Sequence, residues 1–215
     1  MRLLLAITLT NALALAAEPA ATTPVGPGPT PATAPVQVPL APPAPALAPP
    51  TAEEIAQAGR WTAANIITPR GVIRVRLFPA TAPLSVANFV KLAQTGFYDG
   101  TAFHRVEPGF VIQGGDPNSR PGATGRPGMG GPGYRIKAEV GPANPEKHLP
   151  GTLAMARSMD LDSAGSQFYL TLATTPHLDG GYTVFGRIAD PADLAVIQAI
   201  RPNDPMRVEI LPPKP

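Results

Sequence analysis

The chain has 215 residues, and its 17 basic and 15 acidic side chains leave a formal net charge of only +2. Because it contains no cysteine, disulfide bonds, thiolate chemistry and cysteine-ligated metal sites are excluded. Its three histidines are too scattered for a zinc motif, and no run of Lys and Arg indicates nucleic-acid binding. We therefore expect no metal, no cofactor and no nucleic-acid partner.

The first residues predict an export signal. Arg2 precedes an apolar run over 3–9, and Ala14-Leu15-Ala16 has the small-x-small pattern of a cleavage site. Residues 1–17 are therefore interpreted as a signal peptide. The apolar run is too short to span a bilayer comfortably, although a retained membrane anchor is the alternative. We expect an exported protein, periplasmic, in the cell envelope or secreted, with no membrane span after cleavage.

Residues 18–50 are rich in Pro, Ala and Thr and carry almost no charge. Frequent proline prevents regular helix and sheet and favours extended polyproline II. We interpret this segment as a semi-rigid, disordered tether. The alternatives are a ligand for a proline-binding module and a substrate mimic for the chain's own domain. A single folded domain is then expected over 51–215.

Capping patterns predict a short helix and two longer ones. A capping box begins at Thr51, Thr81 precedes Pro83, and Asp190 precedes Pro191. The helices are expected to run to residue 58, to residue 95 and to residue 200, respectively.

Short apolar runs separated by turn residues predict strands at 61–67, 71–78, 102–106, 110–114, 152–156, 167–172, 184–188 and 206–211. In the second run Ile73, Val75 and Leu77 alternate with polar or exposed positions and should face the core. A Gly- and Pro-rich loop is expected over 116–133. Many short strands with two main helices predict a mainly β fold, a closed antiparallel barrel capped at its ends.

Familiar catalytic motifs are missing. No Gly-x-Ser-x-Gly elbow is present, and the glycines between 122 and 133 do not match a phosphate-binding pattern. A hydrolase triad could be assembled from Ser166, His104 and Asp116, which leaves an exported serine hydrolase as a remote alternative.

The segment 103–116 is unusual and reads FHRVEPGFVIQGGD. A regular strand would place Phe103 and Arg105 on one face, and the strand after the turn would place Val111 and Gln113 on one face and Phe110 and Ile112 on the other. A barrel wall that mixes arginine and glutamine with large apolar groups is one hypothesis for a functional surface. The alternative is that Arg105 serves only in a structural salt bridge.

This segment resembles the cyclophilin signature, and further segments are similar to that family in the same order: SVANFV at 85–90, GFYDGT at 96–101, GTLAMAR at 151–157, GSQFY at 165–169 and LDGGYTVFG at 178–186. The resemblance runs from about residue 61 to residue 211. It implies an eight-stranded antiparallel barrel with a helix at each end. It also implies cofactor-free peptidyl-prolyl cis/trans isomerase activity on proline-containing polypeptides.

By this resemblance Arg105 stands at the position of the catalytic arginine. The positions implied to bind substrate are Phe110, Val111, Gln113, Ala156, Arg157, Tyr169, His177, Leu178 and Tyr182. Ala156 and Arg157 correspond to a strip that pairs with substrate backbone, where many members carry Asn at the second position. Departures at Val111, Tyr169, His177 and Tyr182 resemble bacterial members, and His177 in place of tryptophan implies weak cyclosporin binding.

Arginine suits this reaction because the X-Pro amide loses its resonance at the twisted midpoint of a barrier of about 18–20 kcal/mol. The nitrogen then becomes basic, and a permanently charged donor stabilises the twisted state more than the planar one. Gln113 would hold the substrate backbone or the rotating carbonyl. The alternative function is a proline-peptide-binding module or holding chaperone with little turnover. In either case we expect a monomer.

Overall fold

The structure, a computed structural model, describes residues 47–212. The predicted signal peptide and most of the predicted tether lie outside these residues. The helices are α1 (Ala52–Ala56), α2 (Pro83–Gln94) and α3 (Asp193–Ala199). The strands are β1 (Ala63–Thr68), β2 (Gly71–Leu77), β3 (Thr101–Ala102), β4 (Arg105–Glu107), β5 (Val111–Gly114), β6 (Thr152–Met155), β7 (Phe168–Thr171), β8 (Val184–Ile188) and β9 (Pro205–Ile210). Over the described span, every helix is too short or too polar to cross a membrane.

The strands form one antiparallel sheet that closes on itself. Its nine strands follow the order β3-β9-β1-β2-β8-β6-β7-β5-β4. The two end strands, β3 and β4, are consecutive in the chain, and a bridge between Ala102 and Asp116 joins β3 to the residues that follow β5. The short strands β3 and β4 together take the place of one barrel strand, so the nine strands correspond to an eight-stranded barrel. The sheet therefore confirms the predicted closed, mainly β barrel.

The predicted strand over 102–106 is interrupted, and the expectation that Phe103 and Arg105 share a face is wrong. Phe103 is fully buried in the barrel, whereas the Arg105 side chain is exposed. The backbone amide of Phe103 donates to the Asp204 carbonyl, and its carbonyl accepts from the Asn203 amide. These bonds turn the chain between β3 and β4, so one residue enters the core and the other faces outward.

Burial along the strands shows which faces are covered. In β2, Ile73, Val75 and Leu77 are buried and their neighbours are accessible, as the alternation predicted. In β6 and β7 every residue is buried. Strands covered on both faces contain continuous apolar runs instead of alternating patterns. Both faces of these two strands are therefore covered. The barrel core covers the inner face, and the residues of the candidate site cover the outer face.

Aromatic residues fill the barrel under α2. The Phe89 ring on α2 packs against Tyr98, Phe168 and Phe185, with ring centroids 5.3 to 5.6 Å apart. Tilted and edge-on contacts of this kind add to the stabilisation from burial itself. The contact fixes α2 across one end of the barrel, where the sequence placed its main helix. Packing extends to Leu47, which lies before the predicted domain boundary at residue 51.

The cap of α2 differs from the sequence prediction. Thr81 does not cap the helix; Ala82 occupies the N-cap position and supplies no side-chain hydrogen bond. The Glu139 carboxylate instead accepts hydrogen bonds from the Leu84 and Ser85 amides, both at 2.8 Å. These are two of the amides that a helix start leaves without intrahelical partners. A carboxylate from a distant loop therefore caps the helix.

The start of α3 also depends on a tertiary contact. Asp190 accepts a hydrogen bond from the Ala192 amide at 2.9 Å, but the helix begins only at Asp193. The buried Asp193 carboxylate accepts from the backbone amide of Arg74 in β2 at 2.8 Å. This bond fixes α3 against the barrel wall. The helix begins two residues later than predicted because the backbone amides of Asp193 and Leu194 bond to carbonyls three residues earlier, as in a tight turn.

We expect Glu139→Gln to lower the free energy of unfolding by about 0.5–1 kcal/mol, because the charged acceptor at the start of α2 is lost. Urea denaturation followed by circular dichroism measures the change. The control is Glu209→Gln, which breaks an exposed ion pair with Arg207 and should cost less than about 0.5 kcal/mol. Equal losses in the two variants would contradict the capping role of Glu139.

Candidate active site

One row of laterally paired residues crosses the outer face of five strands. Arg105 pairs with Gln113, and Gln113 pairs with Tyr169. Tyr169 pairs with Ala154, which pairs in turn with Val184. Residues directly opposite each other on antiparallel strands point to the same face of a sheet. The row therefore brings residues that are distant in the chain together on one surface of β4, β5, β7, β6 and β8.

A cleft of about 210 Å³ lies on this surface. Nine of the ten residues predicted from the sequence line it: Arg105, Phe110, Val111, Gln113, Ala156, Arg157, Tyr169, Leu178 and Tyr182. The tenth, His177, is exposed and stacks on Phe110, with ring centroids 5.6 Å apart. The fold thus brings the whole predicted set to one place.

The floor of the cleft is apolar. Val111, Ala154, Tyr169 and Val184 form a buried cluster on the outer face of the sheet, separate from the barrel core. Phe110, Ala156, Leu178 and Tyr182 pack around this cluster and remain partly accessible. Phe110 precedes β5, so its ring joins the cleft instead of following Ile112 into the barrel. The arrangement forms a slot that suits a small apolar ring.

Arg105 stands at the edge of this slot. Its Nε and Nη2 atoms both lie 2.8 Å from Glu107 Oε1, and its Nη1 donates to Gln113 Oε1 at 3.3 Å. The Arg105 and Glu107 side chains are 44% and 48% exposed, so the ion pair is solvated and contributes little to stability. Arg105 therefore makes the salt bridge that the sequence left as an alternative and lines the cleft as well.

Gln167 belongs to the site, although the sequence prediction omitted it. Gln113 Nε2 donates to Gln167 Oε1 at 2.8 Å. Gln167 Nε2 in turn donates to the Gly128 and Gly130 carbonyls and to Asp116 Oδ2, at 3.0, 2.8 and 3.2 Å. The two-residue period of a strand was a usable signal, because it places Gln167 on the same face as Tyr169.

Beyond Gln113 the surface opens into a larger cavity of about 600 Å³. Gln113, Ala156 and Arg157 line both this cavity and the smaller cleft, and so form the boundary between them. The far wall is the Gly-rich segment 128–133. The two spaces therefore adjoin, and together they are called the groove.

A buried polar chain lies beneath the cleft. The Tyr169 hydroxyl lies 2.9 Å from His148 Nε2, and His148 Nδ1 lies 2.9 Å from Asp179 Oδ1. Burial lowers the pKa of His148 despite the neighbouring Asp179 carboxylate, which favours the neutral ring. Burial also raises the pKa of Tyr169, so the hydroxyl stays protonated. The neutral ring then donates from Nδ1 to Asp179 and accepts from the Tyr169 hydroxyl at Nε2.

The residues of the serine hydrolase alternative do not form a catalytic relay. Ser166 is buried and donates its hydroxyl proton to the Gly115 carbonyl at 2.7 Å. Asp116 accepts from the Asn118, Gly128 and Gly130 amides and from Gln167. Neither residue is hydrogen-bonded to His104. In the described part of the chain no cluster of His, Cys, Asp and Glu could hold a metal ion.

Comparison with known proteins gives consistent matches. Residues 63–210 match the family model described as cyclophilin type peptidyl-prolyl cis-trans isomerase/CLD. A peptidyl-prolyl cis-trans isomerase of Synechococcus elongatus is 46% identical over 143 residues, which cover 66% of this chain and 91% of the relative. Peptidyl-prolyl cis-trans isomerase B of Bacillus subtilis is 48% identical over 123 residues, covering 57% and 80%.

Solved structures agree with these sequence matches. A cyclophilin type peptidyl-prolyl cis-trans isomerase of Cryptosporidium parvum superposes with a TM-score of 0.61 at 29% identity, covering 72% of this chain and 99% of the other. A second structure of that protein, determined in the presence of the dipeptide Ala-Pro, gives a TM-score of 0.59 at 30% identity and covers 69% and 98%.

We expect Tyr169→Phe to lower the free energy of unfolding by about 1–2 kcal/mol, because it leaves the buried His148 Nε2 without a hydrogen-bond donor. Chemical denaturation near pH 7 measures the loss. Tyr182→Phe is the matched control, since it removes a hydroxyl from the same cleft and should cost less than about 0.5 kcal/mol. If the two variants are equally stable, the hydrogen bond to His148 does not support the floor of the cleft.

Proposed function

The chain belongs to the cyclophilin-type peptidyl-prolyl cis-trans isomerases and is an enzyme of that activity, and on this basis we propose how its cleft rotates an X-Pro bond. The proline ring occupies the apolar slot, and Arg105 donates to the prolyl nitrogen as amide resonance is lost. One observation carries the proposal: a solvated guanidinium lies beside an apolar slot in the same 210 Å³ cleft.

The slot holds the proline ring while the acyl side turns. Val111 and Tyr169 form the buried floor of the slot, and Phe110 and Leu178 flank it. Such a slot fixes one side of the rotating bond and leaves the other side free. Because a planar amide nitrogen is a poor acceptor and a pyramidal one is a good acceptor, the arginine stabilises the twisted state selectively. No proton transfer or covalent intermediate is needed.

Neighbouring side chains hold Arg105 in position. Glu107 contacts its Nε and Nη2 atoms and Gln113 contacts Nη1, so the guanidinium plane is fixed from two sides. Gln113 is held in turn by Gln167. A donor that is already oriented needs little reorganisation when the twisted amide forms. We propose that Gln113 also donates to the carbonyl that rotates or to the adjacent substrate backbone.

The substrate class follows from the same reasoning. The Cryptosporidium parvum isomerase was solved in the presence of Ala-Pro, a dipeptide that contains one X-Pro bond. We propose that proline-containing polypeptides bind here in the same manner. The proline would occupy the slot, and the rest of the peptide would extend into the 600 Å³ cavity beyond Gln113.

We expect Arg105→Ala to lower kcat/KM for a neutral Ala-Pro peptide by at least about a hundredfold, because the donor to the prolyl nitrogen is lost. Exchange NMR between the cis and trans peptide signals measures the rate. Arg105→Lys should recover only part of it, since lysine keeps the charge but loses the fixed planar geometry. Arg60→Gln, which lies outside both cavities, controls for lost positive charge.

Full activity in Arg105→Ala would refute the proposed mechanism. Saturable peptide binding by the wild-type protein at the uncatalysed exchange rate would favour a binding module or holding chaperone instead.

We also propose that the enzyme is a bacterial protein acting on exported polypeptides. The support is the order of the N-terminal features: Arg2, the apolar run 3–9, the small residues at Ala14 and Ala16, and the Pro-rich segment 18–50. The Pro-rich segment would then act as a semi-rigid spacer that holds the domain away from the cell surface.

Expression of the full chain in a Gram-negative host tests export. We expect the enzyme in the periplasmic fraction, with an N-terminus shortly after Ala16 by mass spectrometry. Ala16→Phe should accumulate the uncleaved precursor, because a large residue at the cleavage site blocks processing. A cytoplasmic protein that retains residues 1–17 in the wild-type form would contradict this proposal.

A further inference from the structure

Arg157 occupies the boundary between the two cavities and lines both of them. We propose that Arg157 selects substrates that carry a carboxylate side chain within two residues of the isomerising proline. This inference rests on the proposed function, because it assumes that the proline occupies the smaller cleft. It adds to the isomerase activity a preference of this enzyme for acidic peptides.

The Arg157 guanidinium is held in a fixed position. Its Nε donates to the Gly181 carbonyl at 2.8 Å, and its Nη1 donates to the Ser158 and Met159 carbonyls at 2.8 and 3.4 Å. Its guanidinium carbon lies 4.4 Å from the centre of the Tyr182 ring, in cation–π contact. A guanidinium already ordered by these contacts loses little conformational freedom when it binds a ligand.

The positive charge of Arg157 has no acidic partner among residues 47–212. Its hydrogen-bond acceptors are backbone carbonyls, and no carboxylate pairs with it in that range. Arg105 and Arg135, the other arginines that line the groove, each have one: Glu107 at 2.8 Å and Asp160 at 3.6 Å.

The Nη2 atom of Arg157 is the part left for a ligand. The hydrogen bonds of this side chain use Nε and Nη1, which leaves both Nη2 protons without an acceptor in the described residues. An arginine with unused, oriented N–H groups is well suited to a carboxylate, and such charge-assisted bonds are among the strongest in proteins.

The lining of the groove favours the same ligand. Among residues 47–212, the charged side chains that line the two cavities are Arg105, Arg135 and Arg157, and no Asp or Glu of that range lines either cavity. Glu107 and Asp160 offset the charges of Arg105 and Arg135, so Arg157 contributes the uncompensated positive charge of the groove. Clefts with a charge of one sign concentrate ligands of the opposite sign and repel like charge. A peptide with Glu or Asp beside its prolyl bond should therefore bind better than its Gln or Lys counterpart.

Arg157 could instead donate to a backbone carbonyl of any substrate, and the two uses have different consequences. A hydrogen bond to the substrate backbone forms whatever the charge of the substrate side chains, so its loss would weaken the binding of neutral and acidic peptides equally. A carboxylate bond forms only with acidic peptides. The ratio of kcat/KM between a Glu peptide and its Gln counterpart therefore isolates the proposed contact, even if a variant loses activity overall.

The experiment uses the full-length chain and acetylated, amidated peptides that each contain one X-Pro bond. In each pair of peptides, Glu or Gln occupies one of the two positions before the proline or one of the two positions after it, and Ala occupies the other three; exchange NMR gives kcat/KM for each peptide. We expect the Glu peptide to exceed its Gln counterpart by about three- to tenfold at positions on one side of the proline. The ratio should fall at high salt, because Arg157 is partly exposed and salt screens its interaction with the carboxylate.

In Arg157→Gln the ratio should fall to about one, whereas Arg60→Gln should keep the wild-type ratio because Arg60 lines neither cavity. A wild-type ratio of one at all four positions, or a ratio unchanged by Arg157→Gln, would overturn the acidic preference. Failure of the proposed function is a separate outcome: the wild-type enzyme would then fail to accelerate exchange of the neutral peptide at all.

Discussion

The cross-strand register around β5, β6 and β7 is the constraint on which this molecule depends. Arg105, Gln113, Tyr169 and Ala154 are brought together because each faces the next across an antiparallel pair. A slip of one residue in any of these pairings would turn a strand over and send its site residues into the barrel. The geometry of the site therefore depends on the turn over 108–110 and on the interruption between β3 and β4, as well as on the side chains that these features align.

The same strands support both the barrel and the cleft. In β7, Phe168 and Leu170 belong to the barrel core, whereas Tyr169 between them belongs to the outer cluster. Changes at Tyr169 therefore act on stability through His148 as well as on the slot. The floor of the apolar slot lies on strands, whereas Phe110 and Leu178 reach it from a turn and from a short 3-10 helix. Placement of the floor on strands holds a binding geometry better than loops do.

Charge is distributed so that the arginines stay available. Arg105 is oriented by Glu107 and Gln113, yet it remains 44% exposed and is not neutralised in a buried pair. Arg157 is oriented by carbonyls and the Tyr182 ring. Both guanidinium groups are ordered before a peptide arrives, which reduces the entropy that binding must overcome. A polar chain through Gln113 and Gln167 connects Arg105 to the Gly-rich segment and to the buried Asp116.

The sequence by itself determined the barrel class and most of the strand segments, because the alternation of apolar and polar residues is local in the chain. The family, and through it the set of ten residues around the cleft, came from the resemblance of several separate motif segments. Tertiary structure decided the rest. Glu139 caps α2 from a loop, and the turn at Phe103 follows from hydrogen bonds to the 203–204 turn. Local patterns carry no information on such partners. Only the folded chain could place Gln167 behind Gln113 and leave Arg157 without an ion-pair partner among residues 47–212, since both depend on residues brought together from distant segments.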